Sequence, residues 1–386
     1  MNEIYKKEMT ALDTPIAVGE GQSYKKRSSE SIPDWDSEVK SFGESLDDWD
    51  KEMLRISNPG YLKTVSMTEL YETVYMSKPP LIDGLLNTGT YLFVGAPKLG
   101  KSFLMEQLAY HISTGTPLWG YQVRKGTVLY LALEDDYRRL QKRLYRMVGA
   151  DGSDNLFFSV DANKLGDGLD EQLARFMREH PDTNLIIIDT LQKVREVGGD
   201  SYSYANDYQI IARLKSFADA NGICLLLVHH TRKQNADDKF DMISGTNGLL
   251  GAADGAFLLT KEKRTSNTAV LEVSGRDQQD MKLHLVRNEQ TLAWDLERTE
   301  TELWKAPPEP VLEEIAKRIT ADTPKWVGSP TELAAFLGVD MKANALSLKL
   351  NVNAGRLLNE YGIRYESKRL HDGRKIRLSY VKRDDV

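Results

Sequence analysis

The sequence predicts an α/β fold: a mainly parallel β-sheet covered by helices on both faces, extended along one edge by antiparallel strands, with a small separate domain at the C-terminus. Three observations predict it. Short apolar runs alternate with longer amphipathic ones from about residue 61 to 300, the pattern of strands joined by crossover helices. A G-x-x-x-x-G-K-S loop lies between an apolar run and a helical one. A proline-rich break, Lys305-Ala306-Pro307-Pro308-Glu309-Pro310, then separates this stretch from helical runs that end in a hairpin.

The elements follow in order. Residues 1–60 are polar, acidic and weakly periodic, with Ser28, Ser29 and Pro33 as breakers, and are expected to be disordered. Trp35, Phe42 and Trp49 recur seven residues apart there, a spacing that suits either a docking helix for a partner or isolated aromatics in a tail. Residues 61–304 form the α/β domain, with strands expected at 91–94, 127–133, 156–158, 185–188, 223–228 and 256–259 and helices at 137–148 and 204–220 among the connections. Three more strand-like runs, 269–273, 283–286 and 292–295, follow without intervening helices and extend the sheet in antiparallel fashion. Past the linker at 305–310, the final domain, 311–386, has helices expected at 311–319, 331–337, 343–350 and 354–361. Ser329-Pro330-Thr331-Glu332 is a capping box with proline at the first helical position. Runs 363–369 and 375–380, around His371-Asp372-Gly373, read as a hairpin. Helices followed by a basic hairpin resemble a winged helix-turn-helix.

Composition narrows the function classes. The 386 residues, 41% of them hydrophobic, suffice for a packed core plus a smaller unit. The one cysteine, Cys224, lies in an apolar run, which excludes an intrachain disulfide and suits a core residue in a reducing compartment. No segment is apolar enough to cross a bilayer and Met1 to Lys7 has no signal-like stretch, so a cytoplasmic protein is expected. The net charge of -6 hides an uneven distribution. Nine acids between Glu30 and Glu52 face two lysines, whereas eight basic residues between Arg364 and Arg383 face Glu366 and Asp372. This polarity suggests an acidic tail and a C-terminus directed at nucleic acid.

The chemistry begins at Gly95-Ala96-Pro97-Lys98-Leu99-Gly100-Lys101-Ser102, which matches the phosphate-binding pattern at every fixed position. A loop that encircles several negative charges turns backbone N–H groups inward, and the two glycines permit this. Lys101 is expected to reach the β- and γ-phosphates, and Ser102 to offer its hydroxyl to Mg²⁺ as the helix that continues through Phe103 faces the anion. Asp189 ends the apolar run Leu185-Ile186-Ile187-Ile188 and is expected to hold Mg²⁺ through water, because strand ends at that edge lie beside the phosphate loop. The run 127–133 ends in Glu134-Asp135-Asp136, and a carboxylate there is placed to orient and deprotonate an attacking water.

These residues, with Val228-His229-His230-Thr231, carry a resemblance to the RecA-like hexameric ATPases, and within them to the plasmid RepA helicase group. The likeness covers about residues 80–297. It implies a RecA-like P-loop NTPase with ATP and Mg²⁺ as cofactors, in which Glu134 is the catalytic base and His230, a better match than His229, senses the γ-phosphate. It also implies an arginine that reaches the neighbouring subunit's ATP: Arg276 in Val273-Ser274-Gly275-Arg276-Asp277, with Arg287 as runner-up. Such an arginine is worth about 10³ to 10⁵ in rate and makes function depend on a homo-oligomer, expected to be a hexamer.

The resemblance further implies loops that line a ring and hold single-stranded DNA, here 192–203 and 232–248. Arg232, Lys233 and Lys239 would touch phosphates, although Asp237, Asp238 and Asp241 intervene. Lys368, Arg369, Arg374 and Lys375 of the hairpin are the candidates for duplex DNA. The extra C-terminal domain is similar to the appendage of phage and mobile-element RepA-like ATPases. The expected function is an ATP-dependent, ring-forming DNA helicase or translocase for replication of a plasmid, phage or mobile element. An ATP-regulated DNA-binding adaptor or helicase loader is the alternative, and a recombination ATPase a weaker third.

Overall fold

The computed structural model describes residues 60, 62, 64–76, 78–195, 204–231, 240, 243, 247–263, 265–276, 278–300, 308–370 and 373–381. The chain divides into two compact units, Met1–Ser66 and Met67–Val386, and the elements described belong to the second. The acidic stretch with Trp35, Phe42 and Trp49 lies outside the described residues, as do Arg232, Lys233 and Lys239.

In chain order the elements are α1 (Met67–Glu72), β1 (Gly89–Gly95), α2 (Lys101–Thr114), β2 (Thr127–Ala132), α3 (Tyr137–Val148), β3 (Leu156–Ser159), α4 (Leu169–Glu179), β4 (Thr183–Asp189), α5 (Leu191–Val194), α6 (Tyr204–Asn221), β5 (Cys224–His229), α7 (Asn247–Ala252), β6 (Gly255–Thr260), β7 (Thr268–Gly275), β8 (Gln278–Arg287) and β9 (Trp294–Thr299). The C-terminal domain adds α8 (Pro310–Arg318), β10 (Lys325–Gly328), α9 (Pro330–Leu337), α10 (Ala343–Val352), α11 (Ala354–Tyr361), β11 (Ile363–Leu370) and β12 (Gly373–Tyr380).

Among the described residues, β1 to β9 form a nine-stranded sheet in the order β3-β2-β4-β5-β1-β6-β7-β8-β9. Pairing is parallel from β3 across to β6 and antiparallel from β6 to β9. The strand order reverses at β1, which connects toward β2 on one side while β5 connects over to β6 on the other. Open sheets leave a ligand crevice at such a point, beyond the carboxyl ends of the strands.

Strand alternation builds two cores. Successive side chains of a strand point to opposite faces, so Tyr91, Phe93, Leu185, Ile187, Cys224 and Leu226 pack with Leu104, Met105, Leu108 and Ile112 of α2 on one face. Leu92, Val94, Ile186, Ile188, Leu225 and Leu227 pack with Leu169 and Leu173 of α4 and Ile211 and Leu214 of α6 on the other. Each such aliphatic or aromatic side chain contributes about 1.5–3 kcal/mol by leaving water, which is why continuous apolar runs become central strands. Cys224 is a free, buried core residue, and burial pushes its thiol far above the usual range.

One expected strand is corrected. The run 292–295 is not a strand from its first residue: Leu292 has φ 61 in the β8–β9 turn, and β9 begins at Trp294 and continues through polar residues to Thr299. The apolar run straddles a turn, so hydrophobicity marked the wrong register. Among the described residues, no helix is long and apolar enough to cross a membrane.

In the C-terminal domain a helix, a strand, three helices and a hairpin enclose Leu312, Ile315, Leu333, Leu346, Leu350, Leu357, Ile363, Ile376 and Leu378. The small sheet has the order β10-β12-β11. The capping box forms as expected: Glu332 N–H donates to Ser329 Oγ at 3.2 Å and Ser329 N–H to Glu332 Oε2 at 2.6 Å. Strand β10 was not anticipated; it follows Pro324, spans four residues and is only partly buried, too little for a period to register. Helix α1 packs on this domain. Asn351, buried on α10, donates to the carbonyls of Tyr71 at 2.8 Å and Glu72 at 3.2 Å, and accepts from Tyr365 Oη at 2.8 Å.

Candidate active site

The phosphate loop runs from the end of β1 to the start of α2. Lys98 and Gly100 take left-handed backbone, φ 67 and 98. A Cβ at Gly100 would stand 3.1 Å from the Trp294 ring, and one at Gly95 would stand 2.8 Å from the Leu259 carbonyl oxygen. Both glycines are therefore required by packing and by conformation.

Lys101 opens α2 and is only 6% exposed. Its Nζ donates to Gly95 O at 2.8 Å and Ala96 O at 3.1 Å, and lies 3.3 Å from His230 Nδ1. Burial lowers its pKa to about 8, with Asp189 and Glu134 pulling the other way. An ammonium that deeply placed calls for an anion, which carbonyl oxygens replace only in part. An ammonium can only donate, so His230 Nδ1 accepts and the ring proton sits on Nε2. Burial first, and then the Lys101 charge, hold His230 below its usual range, which leaves it neutral at pH 7.

Ser102 Oγ donates to Asp189 Oδ2 at 2.9 Å, and Tyr130 Oη donates to the same oxygen at 2.8 Å. Burial raises the Asp189 pKa, opposed by these two hydrogen bonds. The hydroxyl and the carboxylate form a compact pair of hard oxygen donors beside a buried cation, which fits Mg²⁺ bound together with nucleotide phosphates.

The three acids after β2 divide by partner. Asp136 caps α3, accepting from Arg139 N–H at 2.8 Å. Asp135 is held by Arg143 and, at 2.9 Å, by Arg139 Nε. Glu134 is exposed and accepts from Thr190 Oγ1 at 3.1 Å, close enough for its charge to act on Lys101, Asp189 and His230. Glu134, Lys101, Ser102, Asp189 and His230 thus meet at one edge of the sheet. His229 lies buried within β5.

Arg276 stands at the opposite edge. Gly275 pairs with Gly255 on β6, Gly255 pairs with Tyr91 near the start of β1, and the phosphate loop follows β1 at its other end. Arg276 is exposed, donates to Gly251 O at 2.7 Å, and borders a cleft of about 320 Å³ with Lys215, Asp219 and Asp254. Arg287, by contrast, belongs to the loop's own edge: its guanidinium lies 4.4 Å from the Phe103 ring centroid.

Sequence reading missed Tyr130, Thr190, Arg143, Gln107 and Trp294. Gln107 and Trp294 exchange two hydrogen bonds, Nε2 to Trp294 O at 2.9 Å and Trp294 N–H to Oε1 at 2.8 Å, so α2 is locked to β9. A polar Gln107 on an otherwise apolar helix face was the one available signal. In the hairpin, Lys368 pairs with Lys375 and Arg369 with Arg374 across the strands. Glu72 of α1 bridges Arg374 at 3.2 Å and Arg369 at 3.7 Å.

Comparisons with known proteins bear on this arrangement. Residues 59–236, which span β1 to β5, match the AAA domain family. No curated protein matches the chain. Among solved structures, a DnaB-like replicative helicase, described with its interactions with primase, is 14% identical, with 67% of this chain and 74% of that one covered and a TM-score of 0.47. A KaiC-like protein of the hyperthermophilic archaeon Pyrococcus horikoshii is 14% identical, with 58% and 99% covered and a TM-score of 0.41. With its phosphate loop after β1, its acid at the end of β4 and its antiparallel extension beyond β6, the large domain has the α/β RecA-like P-loop fold.

Proposed function

We propose that the chain is an ATP-dependent, ring-forming DNA helicase or translocase that serves replication of a plasmid, phage or mobile element. One observation carries the reading: the groups that phosphate hydrolysis needs converge at one sheet edge while Arg276 stands at the other. In this reading Arg276 completes the site of the neighbouring subunit.

In this mechanism Lys101 exchanges its carbonyl partners for phosphate oxygens. Ser102 and Asp189 would hold Mg²⁺, which would supply positive charge against the phosphate oxygens. Glu134 Oε takes the proton of the attacking water, with Thr190 holding the carboxylate's other face. His230, neutral and bonded to Lys101, reports whether the ammonium faces the loop or the phosphate. Arg276 of the adjacent subunit neutralises charge on the transferring group. The segments 192–203 and 232–248 then move along single-stranded DNA, and the C-terminal domain, read as a winged helix-turn-helix, engages duplex DNA through Lys368, Arg369, Arg374 and Lys375.

Mixing tests the shared site. Lys101→Ala and Arg276→Ala chains, each inactive alone, should regain part of the hydrolysis when mixed, provided that light scattering shows mixed assembly. Mixed rings without hydrolysis would remove Arg276 from the neighbour's site.

A second reading, an ATP-regulated DNA-binding adaptor or helicase loader without unwinding, is favoured by the hairpin, which sets Lys368 opposite Lys375 and Arg369 opposite Arg374 as a basic surface for phosphates. Strand displacement on a forked duplex separates the two: a helicase displaces the strand with ATP, and an adaptor binds the fork and leaves it paired.

A further inference from the structure

Arg143 of α3 makes three contacts that reach two other elements at once, α2 and the acidic loop after β2. Its Nη1 donates to Glu106 Oε1 of α2 at 2.7 Å, its Nη2 bonds Asp135 of the acidic loop, and its guanidinium carbon lies 5.2 Å from the Phe103 ring centroid. The group is largely out of water: the side chains of Arg143, Asp135 and Glu106 are 18%, 11% and 0% exposed. Glu106 Oε2 has no hydrogen-bond partner among the described residues. Burying a guanidinium with two carboxyl groups costs more than a surface ion pair returns, so stability alone is a poor account of this cluster.

Its position offers a better one. Phe103 and Glu106 follow Ser102 within the first turns of the helix that the phosphate loop opens. Asp135 is covalently next to Glu134. One planar fork therefore fixes the helix that carries Lys101 and Ser102 against the loop that carries Glu134, and a fork holds direction as well as distance.

We propose that Arg143 is a positioning residue that sets where the Glu134 carboxylate stands relative to the phosphate loop. This rests on the reading of Glu134 as the base that activates water. Arg143 does not touch the reacting atoms; it acts through Asp135. A displacement near 1 Å at a reacting group costs about 10²-fold in rate, so loss of the fork belongs in kcat rather than in ATP binding.

The experiment is steady-state hydrolysis by the full chain with Arg143→Lys, Arg143→Met, Glu134→Gln and the double change, alongside fluorescent-ATP affinity and thermal melting. Arg143→Met should lower kcat about 10- to 100-fold with KM and nucleotide affinity within about threefold. Arg143→Lys should recover only part, because an ammonium lacks the fork. Adding Arg143→Met to Glu134→Gln should slow hydrolysis no further. Where Arg143→Met fails to fold, Glu106→Gln/Asp135→Asn/Arg143→Met, which leaves no buried charge unpaired, carries the same comparison. Full turnover in Glu134→Gln alone overturns the base assignment. A slow Glu134→Gln whose rate falls by the whole further factor on adding Arg143→Met overturns the positioning role, as does a loss confined to KM.

Discussion

Replacing Lys101 with methionine should stabilise the protein when no nucleotide is bound. The folded chain holds this amine at about 8 against an ordinary 10.5. At pH 7 it therefore carries a charged ammonium at a cost of roughly 3 kcal/mol, taking 1.36 kcal/mol per pKa unit. Methionine removes that charge but leaves the Gly95 and Ala96 carbonyls without their donor, which offsets about half. The net gain is about 1–2 kcal/mol, or a few degrees in Tm for a domain of this size. A cation whose pKa is lowered by folding destabilises below the folded value, and the penalty fades as pH rises through 8 toward 10.5. The gap between variant and parent should accordingly close by about pH 10. Differential scanning fluorimetry without nucleotide, from pH 7 to 10, measures both effects. Saturating ATP should reverse the order, since the parent gains about 2.7 kcal/mol at a hundred times Kd. A methionine variant that melts below the parent at pH 7 without nucleotide would refute the reasoning.

Three further outcomes are expected. Gly100→Ala meets both φ 98 and the Trp294 ring at 3.1 Å; it should cost about 2 kcal/mol and abolish nucleotide binding, and an unchanged melting curve with normal ATP affinity would count against a shaped loop. Glu106→Gln should flatten the pH dependence of stability. Burial raises the Glu106 carboxyl from 4.5 to about 7, so the folded protein binds its proton more tightly and stability falls by about 2–3 kcal/mol as pH rises between those values; melts at pH 5 and 8 with the same slope in both proteins would exclude that assignment. Asn351→Leu leaves the Tyr365 hydroxyl and two carbonyls of α1 unmatched, and should cost about 1–3 kcal/mol, read by chemical denaturation.

The large domain was legible because its signals are local. Apolar strand runs, the glycine spacing of the phosphate loop and the strand-end position of Asp189 each follow from neighbours in sequence, and the structure puts them where the pattern says. Tyr130, Thr190 and Arg143 were not legible, since each reaches the site from a different strand, loop or helix. Tyr130 reads as an ordinary core aromatic, and only the fold reveals that its hydroxyl ends on Asp189. Leu292 misled for a related reason: hydropathy registers burial, not the sign of φ. The contrast between Arg276 and Arg287 was also hidden. Both follow strand-like runs, and only antiparallel register sends one to each edge of the sheet.

The grip of α1 on α10 ties the C-terminal domain to the chain at a second point, far from the proline-rich linker in sequence. A protease that cuts between Lys305 and Pro310 would thus produce a nicked protein rather than two free parts. The C-terminal fragment would stay seated on α1, and through α1 on the chain that leads into β1. Any swing of the C-terminal domain therefore requires α1 either to travel with it or to let go of Asn351.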